Sequence, residues 1–168
     1  RCGAHTARLG AVLSLSMRCF DSVLPHGITL SCRANAAVPD VPRVLLLHGF
    51  PEAAFVWDEV MQRLDGRVQC VAPNLRGYER SSAPLEVEAY RTKHLVTDIA
   101  ALIALITQKG APIDLLVAHD WGGAVVWAMG QRHPSRVAGI IGVNTPFMPR
   151  SPLAPVPAMT SLIYYWPL

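Results

Sequence analysis

Short aliphatic runs alternate with helical patterns along this chain. Arg43–His48 (RVLLLH) is a continuous apolar run between Pro42 and Gly49, the form of a strand buried on both faces of a parallel sheet. Arg67–Ala72, Ile113–Ala118 and Val137–Val143 repeat the pattern, the last stopping at Asn144-Thr145-Pro146. Between them, Phe55–Leu64, Val87–Lys109 and Trp121–Arg132 have helical spacing. In the longest, Leu95, Ile99, Leu102, Ile103 and Ile106 share one face and Gly110 stands at the stop. Strands alternating with helices predict parallel βαβ units, hence an α/β fold. Ahead of them, Asp21–Gly27 and Ile28–Arg33 are β-prone runs joined at His26-Gly27, which predicts an antiparallel hairpin.

The same pattern sets domain limits. The core is expected over residues 21–146. Residues 1–20, with only a weakly apolar Ala11–Met17 and no small-residue cleavage site, read as an extension outside the fold. From Phe147 the alternation stops, and Pro-rich sequence leads into Thr160–Trp166, the start of a further element. The longest irregular connection, Asn74–Pro84, follows a parallel-type strand, where long loops tend to be functional.

Composition narrows the class. A chain of 168 residues with 51% hydrophobic and 16% charged residues fits one globular domain and argues against disorder. The net charge of +3 comes from scattered Lys and Arg rather than a stripe, so no nucleic-acid partner is expected. The four cysteines, Cys2, Cys19, Cys32 and Cys70, form neither a CxxC pair nor a dense framework, which suits a reducing, cytoplasmic setting with no metal. Ser151–Leu168 is uncharged, but Pro152, Pro155, Pro157 and Pro167 would break a spanning helix, so no membrane span is expected.

The chemistry sits in Ala118-His119-Asp120-Trp121-Gly122, where a buried strand meets a helix. Small residues at both ends let strand and helix approach closely, and a sharp turn projects the middle side chain into a cleft. Alone, Asp120 would read as a helix cap, a position Asp favours. A second element changes that reading: His48-Gly49-Phe50-Pro51 follows an aliphatic strand and precedes a helix, where a loop N–H can pair with the N–H after a nucleophile to form an oxyanion hole. The expected donors are the Phe50 and Trp121 N–H groups, with His48, Gly49, Pro51, His119 and Gly122 supporting the two motifs.

The segments HGFPE (His48–Glu52), NLRGYERSSAP (Asn74–Pro84), AHDWGG (Ala118–Gly123) and VNTPFMPR (Val143–Arg150) closely resemble the epoxide hydrolases of the α/β-hydrolase fold, in family order across residues 21–150. The resemblance implies an N-terminal hairpin and a parallel sheet flanked by helices. It makes residues 147–168 the start of a cap, and it puts the rest of the cap and the C-terminal strands beyond Leu168. It also implies that Asp120 attacks an epoxide carbon to give a covalent ester, and that a His-activated water hydrolyses this ester to a vicinal diol. No cofactor is implied, and the partners are a small apolar epoxide and water, with the oligomeric state left open. The chain departs from the family at Asn74 (usually Asp), Glu79 (usually Gly) and Ala118 (usually Gly), which bears on the loop around Arg76.

Haloalkane dehalogenases share an Asp followed by Trp, but usually place Asn or Gln where this chain has Phe50, so halide chemistry is the alternative. The acid that orients the catalytic His in one branch would fall at Asn144, an amide, so acid and base are expected later in sequence. His5, His26, His94 and His133 read as surface or terminal residues, Trp57 and Trp127 as core or helix-face residues, and Tyr164 and Tyr165 as packing. From another class, the chain is an inactive truncated product acting at most as a binding module.

Overall fold

A computed structural model describes residues 17–107, 111–145 and 163–167. Its centre is one seven-stranded mixed sheet of order β1-β2-β4-β3-β5-β6-β7. The strands are β1 (Arg18–Val23), β2 (Thr29–Ala34), β3 (Arg43–Leu47), β4 (Gln69–Pro73), β5 (Leu115–His119), β6 (Gly139–Val143) and β7 (Ile163–Pro167). The helices are α1 (Asp58–Leu64), α2 (Thr92–Ile106) and α3 (Trp121–Arg132). β3, β4, β5 and β6 run parallel, as the aliphatic runs predict, while β1, β2 and β7 add antiparallel pairs.

The parallel strands are apolar throughout because both faces are covered. Leu45 and Leu47 of β3, Val71 of β4 and Leu116 and Ala118 of β5 pack with α2 and α3. Val44 and Leu46, Cys70 and Ala72, and the half-buried Leu115 and Val117 point the other way, to Met61 of α1 and to Trp57. With Leu45 and Leu47 fully enclosed, each such side chain contributes about 1.5–3 kcal/mol.

Several boundaries differ from expectation. β1 begins at Arg18, so Arg18, Cys19 and Phe20 belong to the sheet and not to an extension; they pair with Ala34, Arg33 and Cys32. The hairpin turns through Pro25 and His26 and closes with the Gly27 N–H on the Leu24 carbonyl at 3.0 Å, with Gly27 at φ +84°. The expected helix from Val87 is split: Val87–Tyr90 is a 3₁₀ turn, Arg91 is extended, and α2 starts at Thr92. The Ala89 carbonyl is taken by the Arg76 guanidinium at 2.7 Å instead of by a helical N–H. α2 ends at Ile106, and Gly110 lies outside the described residues. Ala54–Trp57 likewise enters α1 as a 3₁₀ turn. Where a cap is expected, Ile163–Pro167 instead pairs along β6 as an edge strand, its β-prone run meeting hydrogen-bonding groups β6 would otherwise expose. The preceding Pro-rich stretch lies outside the described residues.

The topology fixes where a ligand can sit. From β3 the chain passes to β4 on one side, then crosses back to β5 on the other. The C-terminal ends of β3 and β5 therefore flank the point where strand order reverses, and open α/β sheets bind ligands at such points. Leu47 pairs with Ala118, which brings His48–Pro51 beside His119–Asp120.

Candidate active site

Asp120 follows β5 and precedes α3 with φ +46° and ψ −116°, a conformation rarely adopted by a residue with a side chain. Its main chain belongs to both neighbours: its N–H donates to the Val143 carbonyl at 3.1 Å, and its carbonyl accepts the Gly123 N–H at 2.9 Å. The side chain makes no capping bond to α3. It turns back over β3, where Oδ1 accepts the Phe50 N–H at 3.0 Å. That bond, together with the Trp121 N–H, holds the carboxyl below the usual carboxylate range, so it is a carboxylate at neutral pH.

Glycines make the elbow possible. A Cβ on Gly122 would lie 2.6 Å from the His48 carbonyl oxygen, one on Gly123 would lie 2.0 Å from Thr145 Oγ1, and one on Gly49 would lie 2.7 Å from Asp120 Cβ. Ala118, where the family usually has Gly, is fully buried without disturbing the turn.

The Phe50 N–H is aimed by its own peptide unit. On the other side of that plane, the Gly49 carbonyl accepts from the Glu52 N–H at 3.1 Å and from His48 Nδ1 at 2.8 Å. C=O and N–H of a trans peptide point in opposite directions, so anchoring the oxygen directs the N–H at Asp120. His48 is fully buried and its Nε2 accepts the Leu75 N–H at 3.1 Å, which puts the ring hydrogen on Nδ1. Burial pushes its pKa down, so it stays neutral. His119 Nδ1 lies 3.0 Å from Glu52 Oε2, and its Nε2 lies 3.3 Å from the Asn144 amide nitrogen. His48, Gly49, Phe50, Pro51, His119, Asp120, Trp121 and Gly122 thus converge at the ends of β3 and β5.

Three contributors were not expected. Glu52 follows the oxyanion-type loop in sequence, and its spacing from Gly49 was the available signal. Thr145 fills the notch left by Gly123. Tyr78 meets His48 edge-to-face at 4.7 Å, and burial, then the Asp120 charge, push its phenol up. It lines one of two clefts of about 390 Å³ that meet at Trp121, with Phe50, Arg76 and Tyr90. The other is lined by Asp120, Ala124, Trp127, Asn144 and Thr145. Phe50 and Trp121 use their backbones inward and keep their side chains mostly exposed at this mouth.

The Asn74–Pro84 loop is well anchored despite its departures from the family. Asn74 Oδ1 accepts the Ala54 N–H at 2.7 Å and its amide donates to Ser31 Oγ at 2.9 Å. Arg76 forks onto buried Asp98 at 2.7 and 2.6 Å. His26, read from sequence as a surface residue, joins this pair at 2.7 Å from Asp98. Glu79 adopts φ +48°, the conformation that glycine takes without strain.

A mixed sheet with central parallel strands, a strained strand-to-helix turn after one of them and a loop N–H from the adjacent strand facing that turn is the arrangement of the α/β-hydrolase class. The family model described as "alpha/beta hydrolase fold" matches residues 42–166, and the chain belongs to that family. It is 39% identical over 128 residues to epoxide hydrolase A of Mycobacterium tuberculosis, covering 76% of this chain and 39% of that protein. It is 35% identical over 139 residues to bifunctional epoxide hydrolase 2 of Sus scrofa, covering 80% of this chain and 24% of that protein. Among solved structures, an epoxide hydrolase from Vigna radiata superposes with a TM-score of 0.71 at 35% identity, over 81% of this chain and 43% of that one. The chain therefore spans well under half the length of these relatives. No helix among the described residues is long and apolar enough to cross a membrane.

Proposed function

We propose that the protein to which this chain belongs opens an epoxide to a vicinal diol through a covalent ester on Asp120. The observation that carries this reading is the 3.0 Å hydrogen bond from the Phe50 N–H to Asp120 Oδ1 on a strained, ionised elbow residue. With Oδ1 held, Oδ2 forms the new bond to an epoxide carbon as the ring C–O bond breaks, and the released alkoxide takes a proton. Water then adds to the ester carbonyl carbon, placing negative charge on the oxygen that the Phe50 and Trp121 N–H groups face. Collapse releases the diol and restores the carboxylate. An Asp nucleophile suits this sequence because its ester has a carbonyl for water to attack. The relatives named epoxide hydrolases support the substrate class.

The second step needs a base. Of the two histidines beside Asp120, both ring nitrogens of each are engaged. Neither His48 nor His119 is therefore proposed as that base. A single turnover of the full-length protein in heavy-oxygen water, followed by mass analysis of the peptide containing Asp120, is expected to show label in that residue. Diol formed with no label there would overturn the covalent route.

A further inference from the structure

We propose that Glu52 is a positioning residue that ties the Phe50 loop to the elbow through His119, and that it governs hydrolysis of the ester, not its formation. The inference rests on Asp120 being the nucleophile. Glu52 Oε2 receives two N–H groups from two different strands' ends: the Gly49 N–H at 3.3 Å, from the loop after β3, and His119 Nδ1 at 3.0 Å, from the elbow after β5. Asn144, at the end of β6 with φ +52°, sets its amide nitrogen 3.3 Å from His119 Nε2. Nε2 accepts, so the ring hydrogen lies on Nδ1 and donates to Glu52. Two loops at the carboxyl ends of neighbouring strands are joined through one carboxylate oxygen, and the third, at the end of β6, joins them through the His119 ring.

The brace acts on the bond that matters for the second step. Gly49 precedes Phe50 directly, so anchoring the Gly49 N–H and carbonyl leaves the Phe50 N–H little freedom to swing from Asp120. During alkylation the carboxylate loses charge, and a tight Phe50 bond gives no advantage; it even holds the nucleophile back. During hydrolysis charge appears on the carbonyl oxygen, and a well-aimed donor is worth most. Loosening the loop is therefore selective for the second step. The Glu52 and His119 side chains keep 33% and 27% of their exposure, so solvent weakens the electrostatic part of this contact, and the contribution is geometric. Because both N–H groups meet the same oxygen, an amide oxygen can replace it.

The test uses the full-length enzyme and follows the two half-reactions separately, ester formation by quenched-flow mass analysis of the Asp120 peptide and ester decay by diol release. Glu52→Ala is expected to form ester at least as fast as the parent and to hydrolyse it about tenfold to hundredfold slower, short of the loss of a whole oxyanion donor. The ester then accumulates. Glu52→Gln is expected to restore most of the hydrolysis rate. His119→Ala, which removes the other end of the brace, is expected to show the same split and to add little to Glu52→Ala. Equal slowing of both steps, no slowing of either, or a Glu52→Gln variant as slow as Glu52→Ala would overturn the proposal. Absence of any ester in the parent enzyme would instead overturn the reading of Asp120.

Discussion

At the scale of single residues, backbone conformation and protonation make separate demands. Asp120 is held at φ +46° with its carboxyl below the usual range. Since the folded value is depressed, the ionised form persists as pH falls past about 3.9, the ordinary Asp value. Ester formation in single turnover is expected to stay flat through that pH and to drop only in stronger acid, and Asp120→Ala is expected to form none. His48 makes a stability demand. Its pKa is lowered by burial, so the folded state binds fewer protons than the unfolded one below about 6.5. Stability is full above that value and is lost as pH falls through the depressed folded value, which denaturant midpoints measured against pH will report. Glu79 offers the reverse case, because its φ of +48° costs about 1–2 kcal/mol that glycine avoids, partly offset by glycine's larger unfolded-state freedom. Glu79→Gly is expected to stabilise by roughly 0.5–1 kcal/mol in chemical unfolding.

At the scale of elements, the elbow depends on how closely α3 approaches its neighbours. Gly122→Ala would set a methyl 2.6 Å from the His48 carbonyl oxygen, and is expected to lower stability by about 1–3 kcal/mol and to weaken ester formation together. The Asn74–Pro84 loop is fastened to α2 by the Arg76–Asp98 fork, both partners nearly inaccessible. Arg76→Leu removes the guanidinium fork from buried Asp98, leaving the His26 ring at 2.7 Å as its side-chain contact among the described residues, and is expected to cost about 3–5 kcal/mol in the denaturant midpoint. These elements differ in how far the sequence reveals them. The four parallel strands were legible because burial on both faces leaves an unbroken aliphatic run, and the elbow because close approach demands small residues at fixed offsets. The break at Arg91 was not, since it depends on a guanidinium fifteen positions upstream claiming the Ala89 carbonyl. The pairing of β7 with β6 was equally hidden, because a short aromatic run carries no mark of the edge it will join. The His26–Asp98 contact, spanning a hairpin and a helix, has no local signature at all.

At the scale of the whole molecule, the two-sided core separates its thiols. Burial pushes Cys32 up to about 12 and Cys70 up to about 11, while Cys19 lies exposed on the outermost strand. A thiol reagent is expected to modify Cys19 at once and Cys32 and Cys70 only as the sheet opens, so their labelling rates report opening of the two faces. The sheet also has a history. The Phe50 N–H meets a carboxylate seventy positions later, across two parallel strands that lie next to each other only because the chain reversed direction in the strand order. During synthesis, β1 to β4 emerge first and can begin to associate while the edge of β3 that receives β5 stays bare. Pairings this distant in sequence form slowly and leave apolar edges open meanwhile. The seam where early and late portions meet is the seam that carries Asp120. The ester proposed for Asp120 needs this seam closed, so trapping by an epoxide is expected to time the pairing of β3 with β5.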